Sequence, residues 1–380
     1  MNNTTFPFVD NVTYGQYIVI GPPPNLKQSV PVTVVFVSCF SLIFLLSLAG
    51  NLLVCLVVVK DRSLRNVTNY FVVNLAISDL LVTLLGMPLT LVSDILFGWR
   101  LGAVVCQLTT LQGLSLAASI LTLVAIAADR YRAVLYPTAR KLKPCEAFAI
   151  IGLVWMLSIA TMVPHALVMQ LKQYIWGEVI FYVCGENWGV GGREAYTVTF
   201  FSLYYILPLV VIAILYVRIS LRISHQPNLF GLSHNKNPGI SAQKLEVIKM
   251  LVIVVILFTV CWMPYHVVSF VADFGALTRE QKNAVFVYAY PIVRWLGYCN
   301  SCMNPIVYGY CNKNFRKGFK GVFKFMRQEN TDILVVEPAT EMTTRSARRA
   351  RMSALVIPVD DVEGSQSQTN IQPPSYTSRC

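Results

Sequence analysis

Seven long apolar runs, parted by short polar breaks, decide most of what this chain can become. They cover approximately residues 30–59, 67–95, 102–136, 146–170, 196–222, 245–272 and 283–310. A helix rises about 1.5 Å per residue, so about 20 apolar residues cross the hydrocarbon of a bilayer. Backbone polar groups in lipid must be satisfied within the segment, which makes each run a helix. Composition agrees: 55% of the 380 residues are hydrophobic and 13% charged, where a soluble protein carries about a quarter charged residues. The expected fold is an all-α membrane protein, a seven-transmembrane helix bundle. A further stretch at 313–326, "KNFRKGFKGVFKFM", spaces Phe and Val near helical intervals among Lys and Arg. It reads as a short amphipathic eighth helix on the inner membrane surface.

The formal net charge of +12 is carried mainly between and after the runs. Lys60, Arg62 and Arg65 follow the first, Arg132, Arg140, Lys141 and Lys143 the third, and Arg218, Arg222, Lys236 and Lys244 the fifth. That pattern marks cytoplasmic loops, and it excludes nucleic acid as the partner of this charge. The N-terminus is expected outside and the C-terminus inside. Three regions follow: an extracellular segment 1–29, a core 30–326, and a polar tail 327–380 expected to be disordered. The N-terminus lacks the basic and apolar parts of a signal peptide, so the first span directs insertion. Asn2, Asn3 and Asn11 open N-x-Thr sequons in the exported segment and are expected to be glycosylated. Asn66 opens another on the inner side, read as accidental. No internal repeat of the transporter kind is visible, and no catalytic triad or metal-ligand spacing points to an enzyme.

Of the ten cysteines, Cys106 and Cys184 are the two on the outer, oxidising side, which predicts a disulfide between them. Arg130 lies 24 residues beyond Cys106, about 36 Å along a helix. Asp129 and Arg130 therefore sit at the inner boundary, as an interfacial charge pair or as a switch. Within the hydrocarbon, Asp79 in "NLAISDLL" is costly and points to function. Asn51, Ser119, Asn300, Ser301 and Asn304 form a polar cluster with it in prospect. Pro208, Pro264 and Pro305 interrupt the fifth, sixth and seventh runs.

"GN" at 50–51, "NLAISD", "DRY" at 129–131, Trp155, Pro208 with Tyr216, "CWMP" and "NPIVY" occur in order on successive runs. With these motifs the chain resembles the rhodopsin-like G-protein-coupled receptors over about residues 30–326. The resemblance implies that Asp129 holds Arg130 beside Tyr131 in an inactive state. Tyr216 and Tyr308 would support the released state, with Asn304 and Pro305 in the hinge of the last span. It implies a sodium site of Asp79, Ser119, Asn300 and Asn304, and a ligand-sensing Trp262. Its partners would be a peptide, a heterotrimeric G protein, a receptor kinase and arrestin acting at Ser346 and Ser353, and membrane lipids. The plainer reading of "RSARRARMS" is a basic stretch beside anionic lipid.

An opsin needs a lysine in the seventh run, and there is none. Aminergic receptors use an aspartate where Gln112 stands. "LQGLSLAAS" and "CGENW" resemble receptors for neuropeptide FF and, more broadly, for RFamide peptides, neuropeptide Y and orexin. Thr90 and Gln112 match positions that bond the peptide's terminal amide, and Asp273 in "FVADFG" matches an acid that pairs with its arginine. Glu186 is a second acid. More plainly, Gln112 bonds across helices, and Asp273 and Glu186 are solvated loop acids. The interval from Cys106 to Gln112 is one residue shorter than in the relatives, so the outer end of the third span should wind differently. Arg294 stands where histidine is common; it should disfavour a wholly basic peptide and pair with Glu186 or a ligand acid. No cysteine closely follows the amphipathic stretch, so no palmitoyl anchor is expected. The reading is a plasma-membrane receptor for an amidated neuropeptide. The alternatives are a neuropeptide Y-like or orexin-like receptor, a transporter or channel, and a ligand-free scaffold.

Overall fold

Every apolar run is helical, because an unbroken helix is the one local structure that satisfies its own backbone in lipid. The computed structural model describes residues 24–176, 179–225 and 238–322, and the described residues up to 320 form one unit. The sequons at Asn2, Asn3 and Asn11, the tail 327–380 with Ser346 and Ser353, and residues 323–326 lie outside the described residues. The helices are α1 (Val30–Lys60), α2 (Val67–Ile95), α3 (Gly102–Leu135), α4 (Pro144–Val168), α5 (Gly192–Ile223), α6 (Pro238–Phe274), α7 (279–311) and α8 (313–322). Asn66 caps α2 by accepting from the Asn69 N–H at 3.0 Å, a structural use for the residue whose sequon was read as accidental.

Among the described residues, six helices, α1 to α6, are long and apolar enough to cross a membrane by length and composition. The less apolar α7 buries its polar residues inside the bundle, Asn300, Ser301 and Asn304 among them. It packs closely on α1 at Gly50, where a Cβ would come within 2.9 Å of the Pro305 ring. Glycine in the "GN" pair is thus what lets these two helices approach. Asn51 then donates to the Ser301 carbonyl at 3.0 Å. Asn74 donates to Thr122 at 2.8 Å and accepts from Trp155 at 2.9 Å, tying α2, α3 and α4 together.

Three helices widen into one π-type turn, at Val82–Gly86, Ser202–Ile206 and Val285–Ala289. Each ends two residues before a proline: Pro88, Pro208 and Pro291. A proline ring crowds the carbonyl four residues back and offers no N–H, and the wider turn accommodates both defects. Pro164, Pro264 and Pro305 lie inside helices without such a turn.

The outer end of α3 is tightened. Thr109, Thr110 and Gln112 donate their N–H groups three residues back, to Cys106, Gln107 and Thr109. Three residues at about 2.0 Å rise instead of about 1.5 Å recover about 1.5 Å, the rise of one α-helical residue. The outer end of this helix is thus locally overwound between Cys106 and Gln112.

On the outer side, β1 (Met169–Trp176) and β2 (Val179–Glu186) form an antiparallel hairpin, with Leu171 opposite Cys184. Just before α1, residues 25–28 lie against the outer ends of α2 and α7. Lys27 N–H donates to the Ile95 carbonyl and Phe97 N–H to the Asn25 carbonyl. The Gln28 amide donates to the carbonyls of Asp94 and Val287, both at 2.9 Å.

Candidate functional site

The disulfide joins Cys106 and Cys184, with Cα atoms 5.5 Å apart. It fixes β2 to the start of α3. Trp99 packs with Cys106 and Met169 beneath it, and its backbone N–H donates to the Tyr182 carbonyl at 2.6 Å. Gly98, at φ 89°, makes the turn that brings this loop under the hairpin.

Thr90 and Gln112 meet. Thr90 Oγ1 donates to Gln112 Oε1 at 3.1 Å and lies 2.6 Å from the Tyr298 hydroxyl. A hydroxyl has one proton, so Tyr298 is the donor to Thr90. The chain Tyr298 to Thr90 to Gln112 leaves the Gln112 NH2 to offer its donors elsewhere. Tyr298 was not singled out in the sequence, where its aromatic ring reads as ordinary packing.

Arg294 corrects an expectation. It is paired with Asp94 on α2 at 2.5 Å, not with Glu186, and its guanidinium lies 5.0 Å from the Tyr290 ring centre. Asp94 is 5% exposed and Arg294 28% exposed. Lys27, whose Nζ donates to the Ser93 carbonyl at 2.6 Å, faces the same carboxylate, so two cations share Asp94. Glu186 is instead bonded by His165 Nε2 at 3.2 Å and Trp188 Nε1 at 2.7 Å. Burial raises its carboxyl, but His165, the Arg193 charge and Trp188 together outweigh that and hold it down at about 2. Asp273 is not a solvated loop acid, since its side chain is 3% exposed. Arg193 Nε lies 2.7 Å from Oδ1 and Thr197 donates to Oδ2 at 2.6 Å. Trp262 is buried, edge-on to Tyr265 at 5.9 Å. Its ring lies so close to Gly297 that a Cβ there would come within 3.0 Å.

Midway through the bundle, the Asn304 amide donates to Asp79 Oδ2 at 2.8 Å. Ser119 and Asn300 are buried. Among the described residues, Asn300 Oδ1 has no hydrogen-bond partner. At the inner end, Asp129 and Arg130 form an ion pair. Thr68 joins it, accepting from Arg130 and donating to Asp129 Oδ2 at 2.9 Å. Tyr131 and Tyr216 pack around Val134, Ile219 and Ile248. Tyr308 is buried with its ring 5.7 Å from that of Phe315 on α8, and among the described residues its hydroxyl is unpaired.

Two ends with charged devices, joined by a polar core, are the layout of a membrane receptor. The family described as 7 transmembrane receptor (rhodopsin family) matches residues 50–308. The chain belongs to that family. The receptor is 36% identical to neuropeptide FF receptor 2 of Rattus norvegicus over 93% of this chain and 90% of that protein. It is 36% identical to neuropeptide FF receptor 1 of Homo sapiens over 85% of this chain and 76% of that one. To a QRFP-like peptide receptor of Branchiostoma floridae it is 36% identical, over 83% and 85%. It is a multi-pass membrane receptor and not an enzyme.

Proposed function

We propose that this protein is a plasma-membrane receptor for an extracellular amidated neuropeptide of the RFamide or neuropeptide FF type, and that it activates heterotrimeric G proteins. The N-terminus faces outward and the C-terminus inward, in keeping with the basic inner loops and with a disulfide in an oxidising compartment. The observation that carries the ligand reading is the pairing of Thr90 with Gln112, in a bundle whose outer end also holds the sealed carboxylate of Asp273. Gln112 keeps amide donors for a peptide carbonyl, and Asp273 suits a guanidinium. Glu186, Trp262 and Arg294 line the same outer half. The names of the relatives support this ligand class.

Asp79 with Ser119, Asn300 and Asn304 would hold an allosteric sodium ion. The oxygen-rich set and the unpaired Asn300 Oδ1 suit a hard cation. Such an ion would supply positive charge to the buried Asp79 carboxylate, while Asn304 keeps that carboxylate tied to α7. At the inner end, Asp129 and Thr68 restrain Arg130, and its release would admit the G protein. Receptor kinase and arrestin, acting at Ser346 and Ser353, and anionic lipid along α8 are further partners of this reading.

The test compares wild type, Asp273→Ala and Gln112→Ala in dose–response, using an Arg-Phe-amide peptide and its free acid. Loss of a buried charge partner costs about 2–5 kcal/mol, so Asp273→Ala should lower potency by tens of fold or more at equal surface expression. Gln112→Ala should lose the preference for amide over acid. Unchanged potency in the first and unchanged preference in the second would sink the assignment.

A further inference from the structure

The outer ends of α5 and α6 already contain an arginine where a ligand arginine would bind. Arg193 Nε lies 2.7 Å from Asp273 Oδ1, and Thr197 occupies Oδ2. The two partners differ in freedom. The Asp273 side chain is 3% exposed and fixed, whereas that of Arg193 is 42% exposed. Arg193 also feels a second acid, Glu186, through space. Two carboxylates thus draw on one arginine, with His165 and Lys172 also beside Glu186.

We propose that Arg193 is an internal stand-in for the ligand guanidinium. The ligand arginine takes Asp273 by displacing Arg193, which moves to Glu186. The inference rests on the Arg-aromatic-amide reading above. Arg193 engages Asp273 through one N–H on one oxygen, while a ligand guanidinium presents two parallel N–H groups and satisfies both oxygens. A carboxylate has about four lone-pair sites, and His165 and Trp188 each donate to one Glu186 oxygen. Glu186 therefore keeps room for the displaced side chain. Arg193 sets a threshold: if it holds Asp273 nine-tenths of the time, apparent affinity falls about tenfold. A peptide without a cation does not compete for Asp273, so it neither opens this pair nor feels its removal. Since Arg193 belongs to α5 and Asp273 to α6, opening it unties the outer ends of those two helices.

The probes are the tetrapeptide Ala-Ala-Arg-Phe-amide and its twin with citrulline, a neutral isostere, in place of arginine. Potency is read at matched surface expression in wild type, Arg193→Gln, Arg193→Lys, Glu186→Gln and the Arg193→Gln/Glu186→Gln double variant. Arg193→Gln should raise the potency of the arginine peptide about three- to tenfold and leave the citrulline peptide unchanged. Arg193→Lys, which keeps the charge, should fall between it and wild type. Glu186→Gln should weaken the arginine peptide in the wild-type background but not in the Arg193→Gln background. A fall in potency for Arg193→Gln, or an equal change for both peptides, overturns the proposal, because Arg193 then contacts the ligand or is structural. Equal losses from Glu186→Gln in both backgrounds overturn the transfer to Glu186. A wild type indifferent to arginine against citrulline sinks the ligand reading and this proposal together. One that discriminates, with no gain in Arg193→Gln, sinks this proposal alone.

Discussion

Asp94 and Arg294 lie 200 residues apart in the chain and meet at the outer ends of α2 and α7. Removing one member of such a pair leaves the other buried and uncompensated, at a cost of about 3 kcal/mol or more. Asp94→Asn should therefore lower the thermal stability of the detergent-solubilised protein. Adding Arg294→Gln should restore part of it, which a thermal-shift series on wild type and these two variants would read. If the double variant is no more stable than Asp94→Asn alone, the pair is not the source of the loss. Neither this partnership nor that of Arg193 with Asp273 was legible in the sequence. A charge announces that it needs a partner, but not which one, when the partner is on another helix. Cys106 with Cys184 was legible because two cysteines shared the outer side, whereas Thr90 and Gln112 were read as contacts of a ligand amide and not as partners of each other.

Helices were the easiest elements to read, since a run of apolar residues in lipid has no alternative to helix. The hairpin was harder. Its strands β1 and β2 carry alternating exposure over only part of their length, and the sequence between the cysteine-bearing strand and α4 reads as loop. The available signal was a glycine-led dipeptide, Gly177-Glu178, between two runs rich in aromatic and branched residues. The π-type turns had a signal too, in Pro88, Pro208 and Pro291, of which only Pro208 was singled out. The overwound turn of α3 makes a prediction at this scale. Inserting one alanine between Thr109 and Thr110 relaxes three tight N–H bonds and should leave disulfide formation and surface expression intact. Deleting Thr110 exhausts the slack and should abolish both. Surface labelling and non-reducing gels would separate these outcomes, and failure of the insertion would count against the overwinding.

Across the whole molecule, the charges at the inner end form a triangle with Thr68 rather than a pair. Asp129 and Arg130 were visible as adjacent charges, but Thr68 lies 61 residues before Asp129 on another helix and gave no sign. A two-state bundle responds to whatever biases either state. Thr68→Ala removes one restraint on Arg130 and should raise ligand-free G-protein signalling, with a smaller rise than Asp129→Asn, which removes the charge itself. A basal-signalling assay at matched expression checks the order, and a Thr68→Ala variant as quiet as wild type would show that Thr68 does not restrain Arg130.

The strap at residues 25–28 has a use in measurement. Its Lys27 amide is bonded to Ile95 and the facing Phe97 amide to Asn25. Both protons should exchange slowly with deuterated solvent for as long as the rim stays closed. Their exchange rates form a label-free clock at the mouth of the bundle, able to time how often the rim opens before and after a peptide arrives.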